Sequence, residues 1–231
     1  MIVAERKPLD QILELVAPFK RVLVLGCGSC VTVCLTGGEK QADELAAQLR
    51  LAAKQKGRDA TFDVDCITRQ CDREFIENLK RDPAAYDAVL SIACGVGVGF
   101  MSELFPKVPV LPGLDTTFYG TGAAPGLWAE YCHGCGDCVL AWTAGICPIA
   151  RCSKSLINGT CGGTNKGKCE IDPDMDCGWL LIYKRLKELG RLHDYRTIRP
   201  PRDHRKDRGA GVRRLAHAEL AALEEEEEPK E

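Results

Sequence analysis

The chain has no long apolar run: no segment approaches the roughly 18 consecutive apolar residues that a membrane-spanning helix needs. Its first residues also lack the continuous apolar stretch of a secretory signal, because Glu5, Asp10 and Glu14 interrupt them. We therefore expect a cytoplasmic protein without a membrane span. Aromatic residues are only 6% of the chain, but a total hydrophobic content of 45% is enough for an ordinary buried core.

The common nucleotide-binding and catalytic motifs are also missing. No G-x-x-x-x-G-K-[ST] sequence occurs, and the glycine loop GCGSCV has Val31 where a dinucleotide-binding loop has its third glycine. There is no Ser/His/Asp grouping, and the 231 residues fall short of a complete eight-stranded barrel of about 250. A net charge of -2 gives no general attraction to nucleic acid. The chain therefore shows no place where it would complete a redox reaction by itself.

Cysteine, by contrast, is abundant: the chain has 14 cysteines, and eight of them lie between residues 132 and 177. The first three of these follow a C-x2-C-x2-C pattern, and the fourth is followed directly by Pro148, as in ferredoxin segments that bind iron-sulfur clusters. Eight thiolates match two [4Fe-4S] clusters with four ligands each. The predicted ligands are Cys132, Cys135, Cys138, Cys147, Cys152, Cys161, Cys169 and Cys177.

Two other uses of these cysteines remain as alternatives. Structural zinc usually shows paired C-x2-C units, and only the first triplet has that spacing. Disulfides belong to oxidising compartments, whereas dense cysteine in a reducing compartment indicates metal binding. Iron-sulfur binding is therefore favoured. Eight residues separate Cys138 from Cys147, where the bacterial ferredoxin pattern has about three, so the assignment of cysteines to individual clusters stays open.

The first half of the chain alternates strand and helix patterns. Short apolar, β-branched runs predict four strands, and amphipathic stretches between them predict helices. This order is typical of a small doubly wound parallel sheet, and we predict a flavodoxin-like α/β domain over residues 1–112 with cysteine-bearing loops. The predicted strands are Arg21–Leu25, Thr61–Ile67, Tyr86–Cys94 and Lys107–Leu111, and the predicted helices are a short one after Pro8, Glu39–Lys56 and Cys71–Lys80.

Four cysteines of this domain follow predicted strands. Because the carboxyl ends of parallel strands meet at one edge of a sheet, we expect Cys27, Cys30, Cys71 and Cys94 to converge there and to bind a third cluster or a zinc ion. The alternative is that they are small buried hydrophobic residues. Cys34 is a substitute ligand in this hypothesis.

The second half of the chain divides by composition. Residues 113–131 are rich in glycine, proline and threonine and predict a connecting loop, and residues 132–190 form the iron-sulfur segment. That segment ends in the amphipathic stretch GWLLIYKRLKEL, which predicts a helix that covers the clusters. Residues 191–231 are first basic and then acidic, which predicts a charged, mobile tail.

Five stretches of the chain match one known family pattern: MIVAERKPL, VLVLGCGSCVTVCLTGGEK, CHGCGDCVL, GICPIARCSKSLINGTCGG and GKCEIDPDMDCGWLLIYKRLK. They resemble the small iron-sulfur subunit of the methylenetetrahydrofolate reductase of acetogenic bacteria, which is also described as a methylenetetrahydrofolate reductase C-terminal domain. The resemblance covers about residues 1–190 and departs from the family pattern at Thr160, where proline is expected.

The resemblance implies an electron-transfer role in the reductive acetyl-CoA pathway. The implied partner is a catalytic subunit that holds FMN and reduces methylenetetrahydrofolate to methyltetrahydrofolate. The implied electron donor is ferredoxin or a nicotinamide-dependent module. This chain would then be a non-catalytic subunit of an oxidoreductase complex. The alternative hypothesis is a metal-bound scaffold, with zinc or iron-sulfur, that steadies a one-carbon enzyme complex without carrying electrons.

Overall fold

The computed structural model describes residues 1–207, in which the chain divides into two compact units with the boundary between Cys132 and His133. Within residues 1–207, no helix combines the length and the apolar character that crossing a lipid bilayer requires. The cysteine-rich segment predicted from the sequence begins at residue 132, whereas the second unit begins at residue 133.

Within residues 1–207, the first unit contains all seven strands and five of the α-helices. Its strands are β1 (Ile2–Arg6), β2 (Arg21–Cys27), β3 (Thr61–Ile67), β4 (Ala88–Ile92), β5 (Val110–Pro112), β6 (Leu114–Ala124) and β7 (Leu127–Cys132). Its helices are α1 (Leu9–Val16), α2 (Cys30–Val33), α3 (Glu39–Gln55), α4 (Arg73–Glu77) and α5 (Gly95–Leu104), with a short 3-10 helix at Pro83–Ala85.

The predicted parallel sheet is confirmed. Strands β2 to β5 form one four-stranded sheet in the order β3-β2-β4-β5, and every neighbouring pair is parallel. Side chains of β2 alternate between its two faces: Val22 and Val24 pack with α3, whereas Leu23 and Leu25 pack with Ile76 and other residues of α4 and α5. Helices therefore cover both faces of this sheet, as a doubly wound arrangement requires.

A second sheet was not predicted. Strands β1, β6 and β7 form an antiparallel sheet in the order β1-β6-β7. The prediction of a connecting loop over residues 113–131 was wrong, because these residues form a hairpin. Most of β6 is exposed, so it lacks the apolar alternation of a half-buried strand, and Gly120 and Gly122 give it a loop-like composition. Backbone pairing to β1 and β7, rather than side-chain burial, defines the strand.

Two further elements differ from the sequence prediction. Helix α5 begins at Gly95, inside a GVGVG stretch whose glycines disfavour a helix. Helix α4 has only five residues, whereas the sequence predicted a helix from Cys71 to Lys80. Asp65 explains the early end, because its buried carboxylate accepts hydrogen bonds from the backbone N–H groups of Lys80 and Arg81 and draws that segment back to β3.

The second unit has few regular elements. It contains α6 (Pro148–Arg151), α7 (Gly178–Glu188), α8 (Leu192–Arg196) and a 3-10 helix at His204–Lys206. Helix α7 is the predicted amphipathic helix, and its buried residues Trp179, Ile182 and Leu186 form the core of this unit. It ends at a left-handed Gly190, where the N–H of Arg191 donates to the carbonyl of Leu186.

Part of the predicted tail has regular contacts. Asn158 exchanges two hydrogen bonds with the backbone of Arg199, and the Arg199 guanidinium lies 3.6 Å from the ring centre of Trp142. Asp137 accepts a hydrogen bond from the N–H of Asp203. The segment up to residue 207 is therefore attached to the second unit at several points. The remainder of the predicted tail, residues 208–231, lies outside the described residues.

Candidate metal centres

The carboxyl edge of the parallel sheet carries the first group of cysteines. Cys27 ends β2 and pairs in register with Ile67, the last residue of β3. Cys30 begins α2 just beyond, Cys71 follows β3 by four residues, and Cys94 caps α5 two residues after β4. The sequence predicted that these four cysteines would lie at the carboxyl edge of the sheet. In the structure each of them lies at or shortly after the end of a parallel strand.

The thiol groups at this edge influence one another. Loss of solvent contact raises the pKa of the Cys71 thiol, and the nearby thiols of Cys94, Cys27 and Cys30 raise the pKa further. Cys27 and Cys94 are each only 7% exposed, while Cys71 is exposed. A bound cation would relieve the repulsion between neighbouring thiolates, so the proximity of Cys71 to three other thiols is the feature that a thiolate metal site requires.

A buried polar network holds the loops that carry these cysteines. The Gln70 side-chain amide donates to the carbonyls of Leu25 and Gly26 at 2.9 and 3.0 Å. Ser91 donates to the Gln70 side-chain oxygen at 2.6 Å and accepts from the N–H of Ala93. Gly26, Gln70 and Ala93 directly precede Cys27, Cys71 and Cys94. The network therefore fixes the backbone immediately before three of the four cysteines.

Gln70 and Ser91 were not predicted from the sequence. Both side chains are fully buried. The available signal was a serine within the apolar strand β4 and a glutamine beside Cys71, since buried polar groups require partners.

Cys34 and Cys66 lie beside this group, near Cys30 and Cys27 respectively. The Cys34 thiol is buried and donates to the carbonyls of Cys30 and Ile2 at 3.3 and 3.5 Å. Cys66 lies within β3 and borders a separate cavity of about 370 Å³, lined also by Glu39, Asp43 and Asp65. Burial, followed by the negative charge of Glu39, raises the pKa of the Cys66 thiol to about 11.

The second unit contains a small cavity that is bordered by four of the predicted ligands. Its free volume is about 20 Å³, so the thiols border one narrow space, and Arg151, Lys154 and Glu170 line it beside apolar surface. The Cys161 thiol lies 3.7 Å from the Glu170 carboxylate. Thr160, Thr164 and Trp179 also border it. The four cysteines of this cavity are Cys152, Cys161, Cys169 and Cys177.

A close backbone approach brings two of these cysteines together. Gly178, the first residue of α7, packs so tightly that a Cβ atom there would lie 2.5 Å from the Arg151 carbonyl oxygen. Only glycine fits at that distance. Gly178 follows Cys177 and Arg151 precedes Cys152, so the contact joins the two ligand segments. Backbone hydrogen bonds from Cys169 to Met175 and from Cys177 to Gly167 fold the intervening loop onto itself.

Three of the four sulfur atoms have hydrogen-bonding partners. The Thr164 hydroxyl donates to Cys177 Sγ at 3.0 Å, and the N–H of Gly163 donates to Cys161 Sγ at 3.4 Å. The Ser153 hydroxyl lies 3.6 Å from Cys169 Sγ. The pKa of the Cys169 thiol is lowered, first by a backbone hydrogen bond from Ile171 and then by the Ser153 hydroxyl. These donors stabilise the thiolate form, which is the metal-binding form.

The donor set fits an iron-sulfur cluster. Soft thiolate ligands select iron-sulfur clusters or zinc, and the neighbouring apolar surface and hydrogen-bond donors are the features that tune such sites. Among residues 1–207, no three His, Cys, Asp or Glu side chains converge closely enough to hold a single metal ion. A four-iron cube binds each thiolate at a different iron, so its ligands surround it instead of converging on one point.

The remaining predicted ligands are divided between the two units. Cys132 is the last residue of β7 in the first unit, whereas Cys135, Cys138 and Cys147 belong to the second. Cys147 caps α6, and Pro148 occupies the first helical position. Cys135 Sγ contacts the carbonyl oxygen of Asp137 at 3.7 Å.

The fold and the two groups of cysteines define the class of this protein. It is a mixed α/β protein with thiol groups at one edge of its parallel sheet and around a cavity that loops of the second unit form. Residues 111–205 match a family model described as methylene-tetrahydrofolate reductase C terminal. The match includes the whole of the four-cysteine cavity and leaves residues 1–110 outside. No curated protein and no solved structure matches the chain. The family match therefore links the second unit to methylenetetrahydrofolate reductase.

Proposed function

We propose that this chain is the electron-transfer subunit of a methylenetetrahydrofolate reductase complex. It delivers electrons from ferredoxin or a nicotinamide-dependent module to a catalytic partner that holds FMN. The methylene group takes up two electrons and two protons to become a methyl group, so the partner's flavin has to collect two electrons for each turnover. The setting is the reductive acetyl-CoA pathway.

The main support for this proposal is the cavity that four of the predicted ligands border. Four cysteines border it, the number of ligands that one [4Fe-4S] cluster takes, and it lies inside the segment that matches the reductase family. When bound, such a cluster supplies one-electron carriage. We assign this cluster to Cys152, Cys161, Cys169 and Cys177.

The residues of α7 provide the environment that a redox centre needs. Trp179, Ile182 and Leu186 are buried and pack with Cys152 and Cys177. The Trp179 indole N–H donates to the carbonyl of Leu156 at 2.9 Å, which fixes the ring against the cysteine-bearing loop. An apolar cover of this kind limits access of water to the ligands and thereby affects the reduction potential.

The other two cysteine groups extend the proposal. We propose a second [4Fe-4S] cluster for the remaining predicted ligands of the cysteine-rich segment, and a third cluster for the sheet edge. The influence of three neighbouring thiols on Cys71 supports the sheet-edge site. The remaining predicted ligands in the second unit are Cys135, Cys138 and Cys147, and the sheet-edge site would be held by Cys27, Cys30, Cys71 and Cys94.

A cavity substitution tests the proposal against a metal-bound scaffold without an electron-transfer role. Cys161→Ala removes an exposed ligand of the cavity, so we expect the complex with the flavin-containing partner to assemble but donor-linked flavin reduction to fall at least about tenfold. Flavin reduction followed by absorbance, with assembly followed by size-exclusion chromatography, measures both. Cys66→Ala is the matched control, because Cys66 borders a different cavity.

The two hypotheses differ in their outcomes. Donor-linked flavin reduction at the wild-type rate in Cys161→Ala contradicts the electron-transfer role of this cavity. Loss of assembly in Cys161→Ala, with normal assembly in Cys66→Ala, supports the scaffold instead. Direct chemical reduction of the partner's flavin should be unchanged in both variants.

A further inference from the structure

Two hydroxyl groups lie against the sulfur atoms of the four-cysteine cavity. The Thr164 hydroxyl is 3.0 Å from Cys177 Sγ, and the Ser153 hydroxyl is 3.6 Å from Cys169 Sγ. Both distances are within the range of hydrogen bonds to sulfur. The two hydroxyls therefore contact two different ligands of the same proposed cluster.

The direction of these hydrogen bonds follows from ligand chemistry. A cysteine that binds iron is a thiolate and has no proton to donate, so Thr164 and Ser153 must be the donors. Hydrogen bonds to an ionised acceptor are stronger than those between neutral groups. Their strength also rises with the negative charge on the sulfur, which increases when the cluster is reduced.

We propose that Thr164 and Ser153 set the reduction potential of the cluster held by this cavity, as positioning residues that donate hydrogen bonds to its ligands. This inference rests on the proposed function. One electron enters the cluster on reduction, and no covalent bond forms or breaks. Part of the added charge resides on the thiolate sulfurs, so the hydroxyls stabilise the reduced state more than the oxidised state and raise the potential.

A third hydroxyl in the cavity provides a matched control. Thr160 borders the same cavity as Thr164, but its hydroxyl forms a hydrogen bond with Tyr195. Thr160→Val therefore makes the same side-chain replacement at the border of the cavity without removing a donor to sulfur. Thr160 is exposed and Thr164 is half-buried, so a second control is needed at position 164 itself.

The experiment is a potentiometric titration of the full chain, isolated anaerobically with its native partners and monitored by electron paramagnetic resonance. The signal that is lost in Cys161→Ala identifies the cluster of this cavity. We expect Thr164→Val and Ser153→Ala each to lower its midpoint potential. At a fixed potential, the ratio of reduced to oxidised cluster should fall by about threefold to tenfold, and tenfold corresponds to about 59 mV for one electron.

The conservative variant Thr164→Ser keeps the hydroxyl and should restore the wild-type potential. Midpoint potentials in Thr164→Val and Ser153→Ala that equal those of the wild type or of Thr160→Val overturn the inference. Iron and acid-labile sulfide are measured in every sample. Wild-type protein without them contradicts the proposed function itself, whereas normal iron with an unchanged potential contradicts only the role of the hydroxyls. Ser153 is exposed, so its replacement by alanine leaves the packing of the unit intact.

Discussion

Cys66 shows how the surroundings of a single thiol distinguish it from a metal ligand. It lies in β3, an edge strand of the parallel sheet, and borders a cavity that Glu39 and Asp43 also line; its sulfur is 2.8 Å from where a Cβ atom of Gly26 would be. Burial and nearby negative charge both oppose ionisation of this thiol and raise its pKa to about 11. The pKa of Cys71 is raised as well, but its charged neighbours are thiols that could share one cation, whereas Cys66 faces the carboxylates of Glu39, Asp65 and Asp43.

The raised pKa of Cys66 predicts slow alkylation at neutral pH. Because only the thiolate reacts, the alkylation rate by iodoacetamide should rise with a midpoint near pH 11 in the folded protein, and near the ordinary value of 9.0 after unfolding. Mass spectrometry of the Cys66 peptide measures this rate. Since the folded pKa is raised, the neutral thiol contributes stability below about pH 9 that is lost as the pH rises toward 11.

Cys66→Ala removes the titrating group, so its free energy of unfolding should fall less between pH 9 and pH 11 than that of the wild type. Equal reactivity of Cys66 in the folded and unfolded protein at pH 8 would contradict the assignment.

Residue types and spacing were sufficient to predict which cysteines lie at the edge of the parallel sheet. Cys27, Cys30, Cys71 and Cys94 were placed at one sheet edge because strand ends of a parallel sheet must meet there, and the structure has this arrangement. Gln70 was not predicted, because a single glutamine has no periodicity and its importance comes from three contacts with distant backbone.

At the scale of elements, the Gln70 and Ser91 network joins the ends of β2 and β4 to the loop after β3. Gln70 also packs against α5, where a Cβ atom at Gly97 would lie 2.9 Å from the Cβ atom of Gln70. The glycine of the GVGVG stretch thus permits α5 to approach the loop. Apolar packing and hydrogen bonding therefore act together at the edge that carries the cysteines.

Replacing Gln70 with leucine tests this arrangement. Gln70→Leu leaves the Ser91 hydroxyl and the carbonyls of Leu25 and Gly26 buried without their partner, so we expect a loss of about 1–3 kcal/mol in the free energy of unfolding. Chemical denaturation of the chain measures this loss. Metal retained at the sheet edge should also fall, because the loop that carries Cys71 loses its anchor.

The exposed Gln55 at the end of α3 provides a control, and Gln55→Leu should change the free energy of unfolding by less than about 0.5 kcal/mol. Equal stability of the Gln70→Leu and wild-type proteins would exclude a structural role for the network.

The elements that the sequence predicted are those whose side chains are buried in a periodic pattern. Strands β2 and β4 are almost entirely buried, and α3 and α7 each bury one face. The elements that it missed depend on backbone pairing. Strand β6 is exposed along most of its length but pairs with β1 on one side and β7 on the other, contacts that no local pattern reveals.

At the scale of the whole molecule, the two units carry separate sets of thiols. The first unit presents four at its sheet edge, and the second surrounds a cavity with four more. Cys132 is the last residue of the first unit, so the C-x2-C-x2-C pattern spans the unit boundary. The sequence predicted the cysteine-rich segment as a whole. Spacing could not assign its cysteines to individual clusters, because intervals of five to nine positions between successive cysteines allow several assignments.

The central claim is that these thiolates hold iron. The most direct measurement is the content of iron, acid-labile sulfide and zinc per chain in the complex isolated anaerobically with its native partners. We predict about eight iron and eight sulfide per chain, or about twelve of each when the sheet-edge site also holds a cluster, with absorption near 400 nm that bleaches on reduction. A colourless complex that contains zinc but neither iron nor sulfide would contradict the claim.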